Sequence, residues 1–130
     1  MKRTLGLTLL LFATLFSCMR QEKPLPAELS RAESVMWEHP DSALSILRSM
    51  PQSSLSIGKN YATWALLLAQ ARDKVYGKRL PDSLNIPSSD KLVQDAMDYF
   101  EKEGDLKRMA QTYYYKGQLL KDQKKITEAM

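Results

Sequence analysis

The sequence predicts an all-α protein built from antiparallel helix pairs. Apolar residues recur every three or four positions through residues 27–130, glycines number only five, and no stretch alternates apolar with polar residues. The clearest segment is LKRMAQTYYYKGQLLKDQKKITEAM, residues 106–130. Its Leu106, Met109, Ala110, Tyr113, Gly117 and Leu120 carry the period of an amphipathic helix with one buried stripe. The polar run KDQKK after Leu120 reads as a break, and Ile126 and Ala129 as the start of a second helix. Gly117 and Ala129 then lie 12 residues apart, one in each limb of a helix-turn-helix. Small residues suit such a place, because antiparallel helices approach closely only where no side chain holds them apart.

At the amino terminus, Lys2 and Arg3 precede LGLTLLLFATLF, an apolar run from Leu5 to Phe16. Those 12 residues are too few for a bilayer, which needs about 20, so residues 1–17 read as a signal peptide. The run ends in Leu15-Phe16-Ser17-Cys18. This resembles the bacterial lipobox, an aliphatic residue three before a cysteine and a small residue just before it. The resemblance implies a diacylglycerol on the Cys18 thiol, cleavage before Cys18, and acylation of the new amino group. Cys18 is the single cysteine, so no intrachain disulfide can form and lipidation would dispose of a lone thiol. Three acyl chains would hold the chain on a membrane without spanning it. Residues 18–26 form a lipidated tether, with two prolines and no periodicity. Lipoproteins with no Asp after the cysteine usually go to the outer membrane, and no acidic cluster marks surface export. The resemblance therefore implies a bacterial cell-envelope protein anchored in the outer membrane and facing the periplasm.

Residues 27–51 make the first helix pair. Leu29, Ala32, Met36 and Trp37 supply the apolar face of one helix. Pro40 and Asp41 end it and open the next, since proline suits a first turn and aspartate accepts from free amides. Ala43, Leu44, Leu47 and Met50 continue, and Pro51 stops the run. Residues 52–59 form a loop by composition. A second pair covers residues 59–103. Its first helix puts Tyr61, Trp64, Ala65, Leu68, Ala71 and Val75 on one face, and Gly77 closes it with a left-handed turn. Residues 78–89 form a longer loop with two prolines. Ser89 or Asp90 then caps a helix whose buried stripe is Leu92, Val93, Ala96, Met97 and Phe100, and Gly104-Asp105 turns into the third pair, 106–130.

These pairs resemble the tetratricopeptide repeat, W-x2-L-G-x2-Y followed by A-x3-F. In the last unit Tyr113 stands for the Trp, Lys116 for the Leu, Gly117 for the Gly and Leu120 for the Tyr. Trp64-x2-Leu67 matches the first half of the pattern, with Leu68 at the small position and Ala71 at the Tyr position. Ala96-x3-Phe100 matches the second half, and Ala43-x3-Leu47 approaches it. Ala96 and Ala129 are 33 residues apart against a 34-residue repeat, whereas Ala43 and Ala96 are 53 apart. The stretches HPDSAL, LLAQARDK and YYYKGQ are also similar to repeat-containing lipoproteins of Bacteroidetes. The resemblance implies a short solenoid with a concave groove along the first helix of each pair. Its groove positions fall on Arg72, Asp73, Tyr114, Gln118 and Lys121, with Tyr113 buried. The third pair, with only five residues from Ile126 onward, reads as incomplete, so the chain is expected to be a portion of a longer array, with a short natural product or a self-associating end as the alternative.

Composition excludes several functions. Charged residues make up 26% and hydrophobic residues 44%, ordinary values for a globular domain. Of the 19 lysines and arginines, Lys2 and Arg3 leave with the signal peptide, so 17 face 15 acidic residues and the surplus is +2. That is too slight to direct the chain to nucleic acid. His39 is the one histidine and stands beside Pro40, no cysteine remains after lipidation, and no nucleotide, zinc-protease or nucleophile-elbow motif occurs. We therefore expect no catalysis, metal or cofactor. A protein or peptide partner in the groove is the leading reading. The sensory portion of a longer signalling protein and a glycan-binding or enzymatic lipoprotein are the alternatives.

Overall fold

A computed structural model describes residues 25–51, 55, 58–77 and 88–129. The expected signal peptide, Cys18, most of the expected tether and residues 78–87 of the expected 78–89 loop lie outside these residues. The described residues form five α-helices and no strand, so the all-α expectation holds, with five helices in place of the six that three pairs would give. They are α1 (Ala27–Val35), α2 (Pro40–Ser49), α3 (Lys59–Tyr76), α4 (Ser89–Glu103) and α5 (Leu106–Ala129). Each helix packs on the next, and α3 also touches both α1 and α5.

The helix ends follow from local chemistry. Pro26 precedes α1 and its carbonyl accepts the Leu29 and Ser30 amides. Pro40 occupies the first turn of α2, where its missing N–H breaks no bond. The α4 cap falls on Ser88, one residue before the expected Ser89 or Asp90: its hydroxyl accepts the Lys91 amide at 3.2 Å. Gly104, at φ 72° and ψ 27°, takes the left-handed conformation that ends α4. Asp105 then caps α5, its carboxylate accepting the Arg108 amide at 3.1 Å.

The core collects Leu29 and Ala32 from α1 with Met36 just past its end, Ala43, Leu44 and Leu47 from α2, and Leu92, Val93, Ala96 and Phe100 from α4. These are the stripes expected, apart from Met97, which is half-buried. Trp37 departs from expectation and stands 76% exposed beyond the end of α1. α3 differs in kind. Instead of one apolar face it is buried on nearly every side from Ala65 to Arg72, because neighbours enclose it on several flanks. The sequence ALLLAQA permits this, being apolar around the whole helical circumference. Trp64 instead reaches α2, its indole N–H donating to the Leu47 carbonyl at 2.9 Å.

α5 corrects two expectations. No turn follows Leu120, and the helix runs unbroken through 24 residues. The KDQKK stretch contains no glycine or proline, and its lysines and glutamine are good helix formers whose polarity water satisfies. The stripe expected to be buried also faces outward: Leu106 is 77% exposed, Leu120 52% and Tyr113 48%, and Ala110 and Gly117 are exposed too. Arg108, Thr112 and Tyr115 turn inward instead, with Met109 and Leu119 half-buried. Each inward polar group is satisfied. Arg108 donates to both oxygens of Glu33 on α1 at 3.0 and 2.9 Å, the Thr112 hydroxyl donates to the Met109 carbonyl at 2.7 Å, and Tyr115 bonds Gln70. Periodicity specifies a stripe, and the polar partners on α1 and α3 decide which stripe goes in.

Gly117 is the odd residue in this helix. It lies mid-helix with a helical backbone, and an added methyl would meet no atom within 4 Å. In dilute solution Gly117→Ala is expected to raise stability by about 0.5–1 kcal/mol through reduced backbone freedom in the unfolded chain. Chemical denaturation measures it, and an unchanged midpoint would show that the glycine is not a local liability.

Candidate binding cleft

The exposed Trp37 marks one wall of a cleft of about 500 Å³. α1 ends at this wall, α3 supplies Gln70, Asp73 and Lys74 to the floor, and α5 supplies Ala110, Gln111, Tyr114 and Tyr115 to the far wall. The odd-numbered helices therefore share one surface, and that sharing brings together residues up to 78 positions apart in sequence.

The chemistry of the cleft is aromatic with fixed polar groups. The Lys74 ammonium sits 3.5 Å above the Trp37 ring, a cation–π contact that orients the indole as a wall. Tyr114 and Tyr115 meet edge to face with ring centres 5.1 Å apart. Gln118 donates to the Tyr114 hydroxyl at 3.1 Å and holds that exposed ring in place. Below it, burial and the negative charge of Asp73 push the Tyr115 phenol up to about 12, so it stays neutral at any physiological pH. The Gln111 side-chain carbonyl accepts from Arg108 at 3.1 Å, which leaves its amide N–H groups as donors.

Asp73 is the acidic group of the floor. Burial raises its pKa above the ordinary carboxylate value, the nearby Asp122 adds to that rise, and Lys74 opposes it. The folded chain thus holds the Asp73 proton more tightly than the unfolded chain does. Stability falls as pH rises through the window above 3.8, and the ionised carboxylate costs stability at neutral pH. Asp73→Asn is expected to raise Tm at pH 7 and to make no difference at a pH below the ordinary aspartate value. An equal gain at both pH values would show that the charge is not the cause.

Of the five groove positions expected from sequence, Asp73, Tyr114 and Gln118 gather at this cleft. Lys121 lies exposed farther along α5, outside the lining. Arg72 is corrected: only 2% of it is exposed, and it points toward α2, where burial and then the Arg48 charge lower its pKa. Adjacent helical residues diverge by about 100°, so on an enclosed helix Asp73 and Arg72 cannot share a surface. Trp37, Gln70, Lys74, Gln111 and Tyr115 were not foreseen as groove residues. The sequence held one hint, a tryptophan set among Glu38, His39 and Pro40 at a helix end. The tyrosine run was legible in part. Three consecutive tyrosines cannot all be buried, and Tyr114 does reach the cleft, but Tyr115 is the buried member and Tyr113 is not.

A second hollow of about 440 Å³ lies across α3, between α2 and the end of α3, where Arg48 donates to the Tyr76 hydroxyl at 3.3 Å. Among the described residues no group of acidic, histidine or cysteine side chains could hold a metal, and no helix is long and apolar enough to cross a membrane. No family model matches this chain, and neither a curated protein nor a solved structure matches it.

Proposed function

We propose that this chain is a lipid-anchored interaction protein of the bacterial cell envelope, whose cleft binds an extended peptide or protein segment. On this reading the helices form a short tetratricopeptide-like solenoid, Cys18 carries the lipid after removal of residues 1–17, and the protein faces the periplasm from the outer membrane. Its role is to hold a partner at the membrane, without catalysis, metal or cofactor.

The observation that carries the reading is the cleft shared by α1, α3 and α5, with Trp37 and Tyr114 as exposed aromatic walls over Asp73. Large aromatic side chains contribute most of the binding energy at protein interfaces. Amide groups such as Gln111 provide the donors that a peptide backbone needs. Contact of α3 with both α1 and α5 supports a repeating arrangement in which first helices line one surface.

Screening labelled unstructured peptides by fluorescence anisotropy, with sequences varied in charge and aromatic content, tests the cleft. Trp37→Ala and Tyr114→Ala should each weaken the best binder about tenfold, as truncation of a central aromatic does. Both rings are largely exposed, so neither change threatens the fold. Full affinity in the doubly substituted chain would refute the assignment. Mass spectrometry of the full chain from bacterial membranes tests the anchor, with a mature amino terminus at acylated Cys18 expected. An unmodified Cys18 with the leader attached would remove the anchor from the proposal. Charge reversal at Arg72 is not a binding test, because that residue is buried.

A further inference from the structure

Asp73 is an acid that the fold leaves unanswered. Its half-buried carboxylate lines the cleft, yet it accepts no hydrogen bond and makes no ion pair among the described residues. Lys74, the next residue, has its ammonium 3.5 Å above the Trp37 ring instead. Asp122 on α5 brings a second negative charge close enough to act on Asp73. A carboxylate that is partly stripped of water and unpaired destabilises the fold that holds it. Such a group belongs to sites where stability is given up for binding.

We infer that the cleft takes a basic segment, with a lysine or arginine side chain entering against Trp37 and Tyr114 and pairing with Asp73. The inference rests on the cleft being a peptide site and specifies its ligand. The rings suit a cation, since an ammonium already lies on the Trp37 face and such contacts strengthen where water is excluded. The carboxylate requires one. Any ligand that covers the floor strips Asp73 of its remaining water. A neutral side chain leaves that charge desolvated, and an acidic one adds repulsion from both Asp73 and Asp122. Only a cation offsets the loss. The other charges near the cleft act less. Arg108 is tied to Glu33. Glu38, Lys107, Lys121 and Lys124 are exposed and outside the lining, where salt screens them. The whole chain carries a net charge of +4, so its overall field repels basic peptides and cannot itself create a preference for them.

The test uses the full chain, solubilised in detergent, and fluorescence anisotropy of short labelled glycine–tyrosine peptides. These share one host sequence and differ only in carrying lysine, arginine, glutamine or glutamate. The lysine and arginine peptides should bind about tenfold tighter than the glutamine peptide, and the glutamate peptide weakest of all. Asp73→Asn should erase that order while raising Tm at pH 7, a combination that a merely structural role for Asp73 does not produce. Asp41→Asn removes an equal charge from the exposed start of α2, across α3 from the cleft, and should leave the order intact. Peptides that bind alike whatever their charge, but lose affinity in Trp37→Ala, would keep the peptide cleft and overturn the basic ligand. A preference for glutamate would overturn it too, as would equal effects of Asp41→Asn and Asp73→Asn. If no peptide binds, the reading of the cleft falls and the inference falls with it.

Discussion

Phe100→Ala is expected to lower folding stability by about 3–5 kcal/mol, the range for truncating an enclosed aromatic. Phe100 is 1% exposed, lies in the seam between α3 and α4, and packs edge to face on Tyr99 at 5.2 Å. Removing the ring forfeits its transfer from water and leaves a cavity that two helices cannot close. α4 is held to the rest through this stripe, with Leu92, Val93 and Ala96 on the same face. Small domains hold about 5–15 kcal/mol in total, so the variant should stand near its threshold. Phe100→Leu should cost far less, because most of the volume remains. Denaturant titration with an unchanged m-value measures both. A loss under about 1 kcal/mol for alanine would mean that α3 and α4 do not close on this ring.

The second large effect concerns the bridge from α5 to α1. Arg108→Met is expected to cost about 2–3 kcal/mol, between the value of a hydrogen bond to a charge and that of a broken buried ion pair. The Arg108 side chain is 11% exposed and that of Glu33 31%, so water recovers part of the loss on the glutamate side. Glu33 would lose both donors to its carboxylate, and Gln111 would lose the donor to its carbonyl. Replacing Glu33 with methionine as well should restore much of the stability, since the penalty comes from a charge left without its partner. The double-mutant cycle separates that coupling from simple packing. Additive single effects would show that the two residues do not act as a pair. Because Gln111 lines the cleft, Arg108→Met should also weaken any ligand that the cleft holds.

These two residues illustrate what can be read from a sequence. Phe100 was legible because Leu92, Val93, Ala96 and Phe100 repeat on one side of a helix with a serine cap before it and a glycine after it. Arg108 was not, because an arginine inside a helix usually points to water, and only Glu33, 75 positions away, makes burial favourable. Tyr115 follows the same logic, its hydroxyl met by Gln70 and its ring by the α3 surface. Arg72 failed as a groove residue for a related reason. Its position was transferred from a repeat pattern that assumes one open helix face, and α3 has almost none.

From its residues alone the chain determined an all-helical fold, the approximate limits of the first four helices, the start of α5, and the stripes of α1, α2 and α4. Period, capping and turn chemistry are local, and they act before any distant contact forms. The tertiary structure alone decided that α3 is enclosed, that α5 is continuous, that the side of α5 bearing Arg108, Thr112 and Tyr115 turns inward, and that Trp37 meets Asp73 and Tyr114 across one cleft. A helix with two plausible faces has no local basis for choosing between them. The choice falls to partners far along the chain, whose hydrogen bonds make one face cheaper to bury than the other.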